Sequence, residues 1–139
     1  MNQGGGWCSL RLRFEGRELE LLTGAEQVRG AALAHTTRPE VLRSALSLAK
    51  AGQKLRQAGP AASVVLEQAE LQLLLDALRF ATEEVRYATR ADDGLLNARR
   101  RDSVFAAYPE LVQKGTWRSF GLIRELEALA ARLTAALRG

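Results

Sequence analysis

The side chains that could do chemistry are few. Arg99-Arg100-Arg101 is the densest group, and arginine is the residue type whose planar fork takes carboxylate or phosphate with two parallel hydrogen bonds. Asp92-Asp93-Gly94 reads as a turn just before it, and a short helix is expected around Val104 to Tyr108 just after. The run therefore falls near the partial positive charge of a helix N-terminus, which costs roughly a few tenths of a kcal/mol per charge. A sequence that keeps such a conflict points to an anion or acidic partner or to a solvated loop. Arg86, Arg90, Trp117 and Arg118 are the residues expected to assist a contact. Arg43, Lys50 and Lys54 form a second cationic line, on the outer face of a basic amphipathic helix predicted over 38–58.

The other candidates carry less. His35 is the only histidine and is predicted at a helix end, where imidazole meets the last free carbonyls. Cys8 stands alone beside Trp7 on a predicted strand, with no histidine or cation near it in sequence to make a thiolate. Glu83-Glu84 and Asp92-Asp93 are adjacent pairs and do not share a helix face, so neither promises the oxygen ligands that a hard cation needs. No Gly-rich loop joins a strand to a helix. No catalytic residue, metal or cofactor is expected.

These residues need elements to hold them. The 139 residues, 47% hydrophobic, are enough for one domain over 1–139 that buries about two-thirds of its unfolded surface. Its centre is the stretch Gln68 to Arg90, read as one long helix: Leu71, Leu74, Leu78, Ala81, Val85 and Ala88 recur every three or four residues, and Leu73, Leu75, Ala77 and Phe80 widen the stripe. Gln72, Asp76, Arg79, Glu83, Arg86 and Arg90 form the solvated line, with Arg79 and Glu83 as an i, i+4 pair. A last helix opens at Thr116. Its seam of Trp117, Phe120, Ile123, Leu126, Ala130, Leu133 and Leu137 is expected to pack antiparallel to the central helix. Trp117, Phe120, Ile123 and Leu126 are expected to exceed what that helix covers, and so to join two chains as a homodimer.

In the N-terminal half, residues 1–6 read as a flexible start. Cys8 to Leu22 alternates and is predicted as a β-hairpin turning at Glu15-Gly16, with Leu12 opposite Leu19 and Leu10 opposite Leu21. Thr23-Gly24-Ala25-Glu26 has capping-box spacing and predicts a helix to about His35. Thr37-Arg38-Pro39-Glu40 starts a second, ended by Gly59-Pro60, and 59–62 connects the two halves. Ser63 to Leu66 leaves room for a short third strand. No internal repeat is expected. The predicted class is α+β: an N-terminal hairpin packed with a mainly helical body of about four to five helices.

The run from Thr36 to Leu46, TTRPEVLRSAL, follows a predicted strand and a short helix and resembles the second helix of ribbon-helix-helix DNA-binding proteins. That resemblance implies a strand from each of two chains entering the major groove. The residues in that place, Glu18 to Leu22, carry two acids and are matched within the chain, and helix capping alone accounts for Thr37 to Glu40. No family is assigned.

The net charge of +4 comes from 20 basic against 16 acidic side chains, which permits an anionic partner without requiring one. No apolar run approaches the length of a membrane span, and no charged-then-apolar leader is present, so the chain is expected to be cytoplasmic. Leucine seams outnumber polar convergences. The expected function is a non-enzymatic binding or regulatory module acting through protein–protein contacts and self-associating. The alternative is a DNA- or RNA-binding regulator using helix 38–58 and Arg99 to Arg101. An enzyme would require acids and arginines to converge in space in a way that spacing does not reveal.

Overall fold

The computed structural model describes residues 9–89, 98–114 and 117–139, with the backbone alone for 113, 114, 117 and 118. The expectations for residues 1–6, Trp7, Cys8, Arg90, Asp92-Asp93-Gly94 and Thr116, and for the side chains of Trp117 and Arg118, lie outside the described residues. The elements run β1 (Ser9–Arg13), α1 (Gly16–Leu33), α2 (Pro39–Ala58), β2 (Ser63–Glu67), α3 (Gln68–Ala88), α4 (Ala98–Ala107), α5 (Glu110–Lys114) and α6 (Trp117–Arg138). The fold is α+β, with an antiparallel pair of strands and six helices among the described residues.

The pairing of β1 departs from expectation. Leu10 lies opposite Leu66 and Leu12 opposite Val64, so the short third strand is the partner of β1. Residues 16–22, expected as the returning arm of a hairpin, instead open α1. From Phe14 to Leu22 there is no β-branched residue. Leu21, Leu22, Ala25 and Val28 are buried along one helical stripe of an 18-residue helix, and that long period outweighs a brief alternation. The capping box at Thr23 goes with the hairpin: Thr23 is mid-helix, and its hydroxyl donates back to the Leu19 carbonyl at 2.8 Å.

The real start of α1 is Glu15, whose N–H donates to Glu18 Oε1 at 2.9 Å. The same device starts α3, where Glu67 N–H donates to Glu70 Oε1 at 2.9 Å. Phe14-Glu15-x-x-Glu18-Leu19-x-Leu21-Leu22 and Leu66-Glu67-x-x-Glu70-Leu71-x-Leu73-Leu74 are thus one strand-to-helix unit used twice. This is an internal repeat where none was expected. The two strands pair, the two helices pack on each other, and each box carboxylate is closed by a cation from a further helix. Arg132 of α6 meets Glu18 at 2.6 Å, and Lys54 of α2 meets Glu70 at 2.7 Å. Burial alone would raise the Glu18 carboxyl, but the Glu15 N–H and the Arg132 guanidinium outweigh it and hold that group below the ordinary carboxylate range.

Helix α3 is central, as expected. Leu71, Leu74, Leu78, Ala81 and Val85 are fully buried, and the helix packs on α1, α2, α4 and α6. Helix α6 runs antiparallel to it: Arg86 meets Glu127 at 3.0 Å near one end, and Arg79 meets Thr134 near the other. The expected Arg79 to Glu83 pair is replaced by Arg86 with Glu83. The buried face of α6 is Leu122, Leu126, Leu129 and Leu133, rotated from the predicted seam, so Phe120 is left 71% exposed. Helix α2 begins at Pro39 and stops at Gly59, whose φ of +76° suits glycine. Gly24 admits the buried Tyr108 ring, and the Tyr108 hydroxyl donates to the Leu21 carbonyl at 2.9 Å.

Candidate functional site

Two surfaces gather the residues that composition and spacing singled out. The first forms where the start of α4 meets α1 and α3. Arg99, Arg100 and Arg101 do occupy the first turn of α4, but they do not act alike. Arg100 turns inward: its Nε and Nη2 donate to the two oxygens of Glu84 at 3.0 and 2.5 Å, and its guanidinium lies 3.6 Å from the centroid of the Tyr87 ring. Hydrogen bonding to Glu84 holds the Arg100 guanidinium above its ordinary value despite burial. Arg101 is half-exposed beside Asp102 at 3.9 Å. Arg99 is exposed and has no ion-pair partner among the described residues.

Beside that pair opens a cavity of about 590 Å³, lined by Val28, Ala31, Ala32, Ala34 and His35 from α1 and its end, Glu84 from α3, and Arg99, Arg100 and Ser103 from α4. His35, expected only to finish a helix, thus lines the same cavity as the arginine run. Sequence reasoning missed Glu84, Ser103 and the alanines. The burial of Glu84 had a signal, since it falls on the buried line of Ala77, Ala81 and Ala88.

The second surface is the outer face of α2. Arg43 and Lys50 are exposed and have no ion-pair partner among the described residues. Lys54, expected on the same line, is instead held by the buried Glu70. Leu46, 72% exposed, stands between Arg43 and Lys50, and Leu42, 43% exposed, lies one turn earlier, just before Arg43. Neither leucine was singled out by spacing, although residues four apart share a helix face.

The remaining candidates are apart from both. Arg86 sits on the far line of α3 with Glu83 and Glu127. Phe120 is exposed, Ile123 partly buried and Leu126 wholly buried within its own chain. No helix among the described residues is long and apolar enough to cross a membrane. Among those residues no His, Cys, Asp and Glu cluster has the makings of a metal site. Compared with protein-family models, with curated proteins and with solved structures, the chain matches none.

Proposed function

We propose that this chain is a non-enzymatic binding module that docks an acidic, leucine-bearing segment of a partner protein on the outer face of α2. One observation carries the reading: two exposed leucines a turn apart, Leu42 and Leu46, beside Arg43 and Lys50, which have no ion-pair partner among the described residues. Covering what is still exposed of the two leucines, 72% of one and 43% of the other, contributes roughly 2–3 kcal/mol before the entropic cost of association. The cations then act mainly on partner choice and encounter rate. A second copy of this chain is disfavoured on that face, because it would set Arg43 and Lys50 against their own equivalents. Phosphates would satisfy the cations and leave Leu46 uncovered.

The test is photo-crosslinking in the producing cell from p-benzoylphenylalanine at position 46, with position 72 on the exposed line of α3 as control. The expected product is one discrete adduct whose cross-linked segment is acidic and apolar, lost in the R43E/K50E variant while the melting temperature is kept. Equal labelling from position 72 overturns the proposal. So does retention of duplex or single-stranded nucleic acid at low salt that R43E/K50E abolishes, because that outcome favours the nucleic-acid regulator.

A second reading, self-association, is supported by Phe120 and by Val112, which is 64% exposed. With Leu126 enclosed within the chain, such a contact would fall to Phe120 and Ile123.

A further inference from the structure

The cavity between α1, α3 and α4 has the properties of a small-molecule site, and three features narrow its ligand. Its volume of about 590 Å³ lies within the usual range of roughly 300–1,000 Å³ for ligand pockets. Its α1 wall is Val28, Ala31, Ala32 and Ala34, so short side chains leave the space and present hydrocarbon to it. Such a wall favours an apolar body.

Charge supplies the second feature. Glu84 would give the cavity a negative floor, but both of its oxygens are already occupied by Arg100. The guanidinium of Arg100 is further held against the face of Tyr87. That pair is internally neutral. Arg99 is therefore the surplus charge: it lines the cavity and has no partner among the described residues. One surplus cation matches one anionic group.

Hydrogen bonding supplies the third. Ser103 stands four residues after Arg99 and so shares its face of α4, and His35 stands on the opposite wall. Neither side chain has a hydrogen-bond partner among the described residues. An arginine fork, a hydroxyl and an imidazole, none with a partner among the described residues, line one hydrocarbon-walled space. A planar carboxylate suits the fork in two-pronged fashion. A phosphate dianion would exceed the single surplus charge and gain nothing from the alanine wall.

We infer that this cavity binds a small monocarboxylate with an apolar body, its carboxylate on Arg99 and Ser103 and its hydrocarbon against Val28, Ala31 and Ala32. The site is independent of the α2 face, and each can fail without the other.

The experiment is titration of the full chain with octanoate and with 2-naphthoate, followed by amide chemical shifts and calorimetry. 1-Octanol, octylamine and inorganic phosphate serve as comparison probes. Saturable binding of at least one carboxylate is expected, with shifts centred on α1 and α4. R99Q should weaken it about tenfold or more, the worth of a charged hydrogen bond. A31F should block it by filling the wall, and R124Q, at an exposed position of α6, should leave it unchanged. Ala31 and Arg99 are both exposed, so these variants should fold, and thermal melts verify that. Octanol or octylamine binding as tightly as octanoate would overturn the charge assignment. Phosphate binding as tightly would overturn the apolar body. Binding indifferent to both R99Q and A31F, or no saturation at millimolar concentration, would overturn the site.

Discussion

Removing Glu70 tests the repeated strand-to-helix unit where it is most deeply buried. Its Oε1 accepts from Glu67 N–H at 2.9 Å and from Lys54 Nζ at 2.7 Å, so Glu70→Ala orphans a helix N-terminal donor and releases a lysine. Loss of a cap costs about 1 kcal/mol and loss of a charged hydrogen bond about 1.5–3 kcal/mol. Lys54 keeps access to water, with its side chain 31% exposed, so the low end applies and the sum is about 2–3 kcal/mol. Glu18 makes the equivalent contacts to Glu15 N–H and Arg132, but its side chain is 26% exposed against 7% for Glu70. Solvent screening reduces Glu18→Ala to about 1–2 kcal/mol. Glu83→Ala, on the exposed line, should change almost nothing.

The assay is urea unfolding at pH 7 with a common m-value, and the expected order is Glu70, then Glu18, then Glu83. The Glu18 contribution also has a defined pH dependence. Its carboxyl is held below the ordinary range in the folded chain, so the stabilisation is fully present above the unfolded value of about 4.3 and is lost as pH falls through the lower folded value. The gap between wild type and Glu18→Ala should therefore close in acid. A Glu70→Ala variant no weaker than Glu83→Ala, or a Glu18 gap that widens on acidification, would refute the capping-box account.

Further outcomes follow from burial. Leu78→Ala empties a fully enclosed site on α3 and should cost about 2–5 kcal/mol in the same urea assay. Gly24→Ala would place a Cβ 2.6 Å from Tyr108 Cε1, so thermal melts should show a loss of about 1–3 kcal/mol from overpacking. Burial pushes the Tyr108 phenol above its ordinary value, with Arg17 opposing and Glu110 adding; the neutral form thus stabilises fully below about pH 10, that benefit fades above it, and phenolate absorbance of Tyr108 should appear late or with unfolding. Light scattering should give a mass above the 15.2 kDa monomer that F120S returns to monomer; a monomer at millimolar wild-type concentration removes the self-association reading.

The long helices α2 and α3 were legible because their apolar period persists for five turns and more, and because Pro39 and Gly59 mark the ends of α2. The sheet was not. Alternation from Leu19 to Leu21 fits a strand and a helix equally over so short a span, and the true partner of β1 lies beyond two intervening helices. The repeat was hidden because its capping residues are glutamates, not the serine or threonine usually sought at such a position. On α6 the apolar residues Phe120, Leu122, Ile123, Leu126, Leu129 and Leu133 spread over about half of the helix circumference, wider than the face that α3 covers, so spacing could not choose that face. The place of the arginine run was legible, but the inward turn of Arg100 depends on Glu84 and Tyr87 from another helix, a contact that no local rule supplies.

The same separation governs how many of the cations counted in the net charge are already paired within the fold. Each deeply buried carboxylate meets a cation from a different helix: Glu26 of α1 with Arg56 of α2, Glu70 of α3 with Lys54 of α2, and Glu84 of α3 with Arg100 of α4. Arg17 of α1 likewise bridges Glu110 of α5 and Glu125 of α6. Such pairs add little net stability over apolar replacements, but a helix slid by one turn would strand a buried charge at about 3–5 kcal/mol. We infer that these pairs set the register of the helices. Gly52 belongs to this arrangement, since a Cβ there would sit 2.5 Å from the Glu26 carboxylate. Arginines spent in this way are unavailable to any partner, however basic the composition. The cations left over matter by position: Arg43 and Lys50 lie beside exposed leucines on α2, and Arg99 lines an alanine-walled cavity, and to these we assign two different acidic ligands.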